Sequence, residues 1–156
     1  HLDVTAVRLP VEKYAPIENF GLGLRSTKVL FDSHDLAKNL IVLAEQRYAK
    51  GVTLTERDML NRQNRGARLL DRIQGAVDHP ELQLWHMGTF YECVIRYWFE
   101  LKGEWQAPPY VALPEIQKRD PKFYNYLLTM ATSRECHAKA ETAEKAIDEV
   151  VAGTEN

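Results

Sequence analysis

Long apolar runs are missing from this 156-residue chain. None approaches the roughly 18 residues that a membrane-crossing helix needs, and the opening residues do not read as a signal peptide. Cysteine is scarce: Cys93 and Cys136 both fall inside predicted helices. They are expected to be reduced packing residues rather than a disulfide, which fits a cytoplasmic protein. Glycine and proline are unremarkable at 8 and 7 residues, and 45% of the chain is apolar, which excludes disordered and fibrous classes. A surplus of one charge is lacking too. The formal net charge of −2 argues against a dedicated nucleic-acid binder, while leaving room for a local basic patch. His1, His34, His79, His86 and His137 show no ligand spacing, so a metal site built from them is not expected. Nucleophile elbows, phosphate-cradling glycine loops and Cys-x-x-Cys pairs are absent as well.

What the chain does have is an aromatic helix. From Pro80 onward, Leu84, Met87, Tyr91, Val94, Ile95 and Trp98 recur every three or four residues, with Trp85, Phe90 and Phe99 beside them. That spacing places them on one broad side of a helix, which must be buried against several neighbours. It ends in the turn Gly103-Glu104-Trp105-Gln106-Ala107-Pro108-Pro109.

Around this helix the spacing predicts others. Asp32 or Ser33 caps a first helix to about Ala49, with Leu36, Leu40, Leu43 and Ala44 as its core side and Gly51 as its end. Thr53-Leu54-Thr55-Glu56 fits a capping box for a second helix to about Val77. Beyond the Pro-rich turn, Asp120-Pro121 opens a fourth, carrying Phe123, Tyr124, Leu127, Leu128 and Ala131. Thr132-Ser133-Arg134-Glu135 offers a capping box for a fifth, with Cys136, Ala140, Ala143, Ile147 and Val150 as a seam of mostly small residues. The expected fold is therefore mainly α, an antiparallel bundle of four to five helices. Ahead of it, Leu2-Asp3-Val4-Thr5-Ala6-Val7 alternates like a strand. Lys28-Val29-Leu30-Phe31 is a second extended candidate. A lone strand leaves its backbone groups unpaired, so residues 1–31 are expected to be the strand and linker remnant of an upstream domain, and 32–156 the bundle.

Two surfaces offer chemistry. Arg62, Arg65, Arg68 and Arg72 fall within an arc of about 120° on the second helix. Such a ridge can hold phosphates through forked guanidinium donors; it can equally be a solvated face balanced by Glu56, Asp58, Asp71 and Asp78. On the third helix Arg96 stands four residues from both Glu92 and Glu100, a spacing that makes surface ion pairs the default. Glu92, beside so much aromatic surface, is the candidate general base.

A family resemblance joins these observations. His1-Leu2-Asp3-Val4-Thr5 resembles the last acidic strand of a polymerase-β-type nucleotidyltransferase domain. Lys28-Val29-Leu30-Phe31-Asp32 resembles the crossing into that family's helical half. Tyr97 through Trp105, with Leu113-Pro114 and Asp120-Pro121, is similar to the bundle domain of small bacterial nucleotidyltransferases. The resemblance implies transfer of a nucleoside monophosphate from an NTP to a hydroxyl of a small-molecule acceptor, supported by two Mg²⁺ ions held by three carboxylates. The family's Gly-Ser signature does not occur here, and Asp3 alone matches a metal-binding carboxylate. The catalytic half is therefore expected upstream, and these residues alone are expected to be inactive without it. The resemblance further implies a bundle that forms one wall of the cleft, with Arg62, Arg65, Arg68, Arg96 and Glu92 offered as its surface, and often a homodimer. Two alternatives remain. One is a non-catalytic dimerisation or interaction module. The other is a helical ribonuclease or toxin-type domain, which Arg134 and His137 resemble at a narrower spacing than is usual.

Overall fold

A computed structural model describes residues 29–30 and 35–152 of the chain. The predicted strand at Leu2–Val7, Asp3 within it, and the caps Asp32 and Ser33 lie outside the described residues. Two compact units divide the chain, His1–Lys50 and Gly51–Asn156. Among the described residues there are six α-helices, so the protein is mainly α, as the periodicity predicts.

The first unit carries α1, Leu36–Lys50. Asp35 sits just before it at φ 55°, and its carbonyl accepts from Asn39 N–H at 3.0 Å. Asp35 also takes the Lys38 ammonium at 2.7 Å. Of the predicted core side, Ala44 is buried but Leu43 is exposed, as is Val42.

The second unit begins at a close approach of two glycines. Gly51 and Gly103 both adopt positive φ, and Val52 N–H donates to Gly103 O at 2.8 Å. A Cβ on Gly51 would stand 2.3 Å from that same carbonyl oxygen, so this position needs glycine. From here α2 runs over Glu56–Gly75. Its cap lies two residues later than expected. Thr55 Oγ1 accepts from Asp58 N–H at 3.2 Å, and the Asp58 carboxylate takes Thr55 N–H at 3.0 Å. Thr55-x-x-Asp58 thus makes the reciprocal box that Thr53-x-x-Glu56 also offers by sequence, and the helix it opens buries Leu69 and Ile73.

Helix α3, Pro80–Glu100, is the centre of the core. Met87, Phe90, Val94, Ile95, Tyr97, Trp98 and Phe99 are buried. Trp98 packs edge-on to Phe99 at 4.9 Å and stacks on Phe123 at 6.4 Å between ring centroids. Two residues of the predicted stripe point elsewhere: Leu84 is 65% and Trp85 76% exposed. In their place Gln83 is buried, donating from Nε2 to Cys136 O at 2.8 Å and to Ile73 O at 3.4 Å. One amide thereby ties the start of α3 to the end of α2 and to the start of the last helix.

The Pro-rich stretch contains a helix that the residue spacing does not predict. This is α4, Pro109–Arg119, with Pro109 in its first turn and Pro114 inside. Pro114 removes a backbone donor, yet Ala112 and Ile116, one turn apart, are both fully buried. Tertiary packing outweighs the break. Asp120 separates α4 from α5, Pro121–Thr132, and caps the latter by accepting Phe123 N–H at 3.0 Å. The other Asp120 oxygen takes the Trp98 indole N–H at 2.9 Å, so a helix cap also satisfies the one polar atom of the largest core side chain. Phe123, Leu127 and Met130 form the buried side of α5, whereas Leu128 and Ala131 are exposed.

Thr132 closes α5 instead of capping the next helix, its hydroxyl donating to Leu128 O. Ser133 Oγ accepts from Glu135 N–H at the head of α6, Cys136–Ala152. Of the predicted seam of α6, Ala140, Ala143, Ile147 and Val150 are buried, whereas Cys136 is only half-buried. Its small side chains let α6 lie against α2, α3 and α5. At Gly66 the approach of α2 is so close that a Cβ would fall 2.1 Å from Ile147 Cδ1.

Candidate functional site

The candidate residues gather where α2 and α3 lie side by side. Arg62 is not a free ridge residue. It forks onto Glu100, with Nε to Oε2 at 2.7 Å and Nη2 to Oε1 at 3.2 Å. The Glu100 side chain is only 10% exposed and that of Arg62 31%. The hydrogen bond to Glu100 holds the Arg62 guanidinium still more firmly protonated than usual. The expected ion pair of Glu100 with Arg96 on the same helix is replaced by this cross-helix fork, which fixes two parallel donors at once.

Cys93 marks the middle of the site. Burial pushes its thiol pKa up, while Arg65, Arg62 and Arg96 pull the other way. Three of the four proposed phosphate-binding arginines thus act electrostatically on one half-buried thiol, and Glu100 opposes them. Arg68 and Arg72 are exposed further along α2, roughly two and three turns beyond Arg62. Arg96 reaches Gln106 Oε1 at 3.4 Å with Nε and Glu92 Oε1 at 3.5 Å with Nη2. Glu92 is itself well exposed. Its surroundings are the open groove along the outer side of α3, lined by Glu81, Leu84, Trp85, Gly88 and Thr89.

Two features of the site carry no sequence signal. Tyr97, two residues before Phe99 in the aromatic run, is 2% exposed, and its hydroxyl has no hydrogen-bond partner among the described residues. Burial pushes its pKa up, with Glu100 adding to the rise. Tyr91, on the other side of the helix, donates to Leu127 O and is pushed up to about 12 by burial. The second feature is a cavity of about 230 Å³ near the end of α3, lined by Trp98, Leu101, Lys102, Asp120 and Glu149. Lys102 holds its ammonium 4.2 Å above the Trp98 ring, and burial lowers its pKa.

Asp3 lies outside the described residues. Among those described, no three His, Cys, Asp or Glu side chains come together as a metal site. Arg134 and His137 are both exposed. No helix among the described residues is long and apolar enough to cross a membrane. Compared with protein-family models, curated proteins and solved structures, the chain matches none.

Proposed function

We propose that this chain is the helical, substrate-side part of a nucleotidyltransferase, forming one wall of a cleft whose catalytic carboxylates come from outside the helical residues. The observation that carries the reading is the α2–α3 seam itself, where Arg62 is forked onto Glu100, Arg65 is exposed one turn along, and Arg96 is held only by long contacts to Gln106 and Glu92. Clustered guanidinium groups are costly unless balanced, and Glu100 balances only Arg62. Arg65 and the loosely held Arg96 remain for an anion such as the phosphates of an NTP. Glu92, 3.5 Å from Arg96, is the residue we assign to accept the proton of an acceptor hydroxyl.

In this reading Arg62 is a positioning residue. It is locked by Glu100 and shapes the seam without touching phosphate. The test is nucleotidyl transfer by the full-length gene product, using radiolabelled NTP and a panel of hydroxyl acceptors. Arg65→Ala and Arg96→Ala are expected to lower kcat/KM by about 10- to 100-fold, chiefly through KM. Transfer that is indifferent to both substitutions would sink the proposal. A second reading, a non-catalytic interaction module, is favoured by the exposure of Leu84 and Trp85 on α3.

A further inference from the structure

Helix α2 carries a second cationic surface, which the α2–α3 seam leaves unused. Arg57, Asn61, Asn64, Arg68 and Arg72 succeed one another at intervals of three or four residues. At 100° per residue they fall within an arc of about 80° and extend over about 22 Å of the helix. All five are exposed. The buried positions of α2, Gly66, Leu69 and Ile73, lie on another side.

Two observations separate this stripe from an ordinary solvated face. Arg62 is matched by Glu100, whereas among the described residues no carboxylate forms an ion pair with Arg57, Arg68 or Arg72. Asp58, beside Arg57, commits its carboxylate to Thr55. Asp71 is exposed next to Arg72 and pairs with none of the three. The second observation is the position of Arg57. It stands in the first turn of α2, where the positive end of the helix dipole disfavours a cation. Helix stability does not call for an arginine there, and an anion from outside would offset the repulsion.

The composition of the stripe narrows the partner. It contains no apolar residue, whereas the centre of a protein–protein interface is apolar. It contains no aromatic ring on which the bases of a single strand would stack. Guanidinium forks separated by side-chain amides are donors that suit phosphodiester oxygens, and Arg and Asn also match base edges in a major groove. The major groove of B-form DNA admits an α-helix, whereas that of an RNA duplex is too deep and narrow.

We propose that the outer face of α2 docks double-stranded DNA, with the helix along the major groove and Arg57, Arg68 and Arg72 on backbone phosphates. Asn61 and Asn64 then lie between the two strands, toward the base edges. The overall charge of −2 does not oppose this, because screening confines the attraction to charges within about 10 Å of the phosphates. Asp71, at the edge of the stripe, limits the affinity. The surface stands apart from the transfer reading, in which none of these five residues binds NTP.

Fluorescence anisotropy of a labelled DNA duplex of about two helical turns, titrated with the full-length protein in the absence of NTP, tests this. Saturable micromolar binding is expected at low salt, weakening about 40-fold between roughly 0.05 and 0.2 M salt for three phosphate contacts. Arg57→Ala, Arg68→Ala and Arg72→Ala should each weaken it by about three- to tenfold and reduce the logarithmic salt slope by about 1. Asp71→Asn should tighten it by about two- to threefold. Absence of saturable binding at low salt would overturn the proposal, and so would a salt slope that the three arginine variants leave unchanged. Tighter binding of duplex RNA, of single-stranded DNA or of polyglutamate would overturn it as well, by assigning the face to another class of partner.

Discussion

The two halves of α3 both carry large apolar side chains and differ in what covers them. From Val94 to Phe99 the helix buries every residue but Arg96, whereas between Glu81 and Thr89 it leaves Leu84 and Trp85 in solvent. Trp98 and Trp85 are the same side chain on the same helix, at 1% and 76% exposure. The neighbours make the difference. Around Trp98 converge Phe99, Phe123, the Asp120 cap and the Lys102 stem. Around Trp85, among the described residues, lie those of an open groove. One half of the helix makes the core, and the other presents a surface.

The sharpest way to break that contrast is to remove each tryptophan. Trp98→Ala is expected to cost about 3–5 kcal/mol, from lost packing and from an orphaned Asp120 oxygen. Trp85→Ala, in dilute protein, should stay within about 0.5 kcal/mol of wild type. Urea unfolding measures both, and equal costs would erase the distinction. Next in size is the seam between α2 and α3. Arg62→Ala leaves the nearly buried Glu100 carboxylate without its fork and is expected to cost about 2 kcal/mol in the same experiment. A value near zero would mean that the pair is ordinary surface charge.

The glycines separate inside from outside in the same way. Gly66→Ala drives a methyl into Ile147 and should destabilise by about 1–3 kcal/mol. Gly88→Ala meets open space and should stabilise an isolated monomer by about 1 kcal/mol. Thermal unfolding of the two variants should therefore shift in opposite directions.

The smallest effect concerns Cys93, at the boundary between the two halves. Its pKa is raised by burial, so the fold favours the neutral thiol. That contribution is present below the unfolded thiol pKa and is lost as pH rises through the higher folded value. Alkylation of Cys93 should accordingly lag behind that of an unfolded control as pH increases. Arg65→Ala should delay it further, because a stabilising positive charge is gone. Faster alkylation in that variant would show that access governs the reaction rather than charge.

Much of this architecture is legible in the chain, because helix punctuation is local. Asp120-Pro121, Pro80 and Gly103 mark their boundaries wherever the helices pack. Registers are less legible. Thr53 and Thr55 offer the same capping box two residues apart, and the structure uses the second. On α5 the rows through Phe123–Leu127–Met130 and Tyr124–Leu128–Ala131 are both apolar, and only the first is buried. Helix α4 is hidden because Pro114 argues locally against a helix that Ala112 and Ile116 hold by burial. At the candidate site the ridge of arginines is visible as spacing. The Arg62–Glu100 fork is not, because partners 38 residues apart in the chain meet only through tertiary packing. Gln83 is invisible for the same reason: a polar residue beside an apolar stripe gives no sign that two distant carbonyls await it.

The most direct test is a titration of the isotopically labelled chain with an NTP, traced residue by residue by NMR. Saturable, salt-sensitive shifts are expected at Arg62, Arg65, Cys93, Arg96 and Gln106, with Leu84 and Trp85 unmoved. Shifts confined to the Leu84–Thr89 groove, or none at any NTP concentration, would refute a nucleotide-binding wall at the α2–α3 seam.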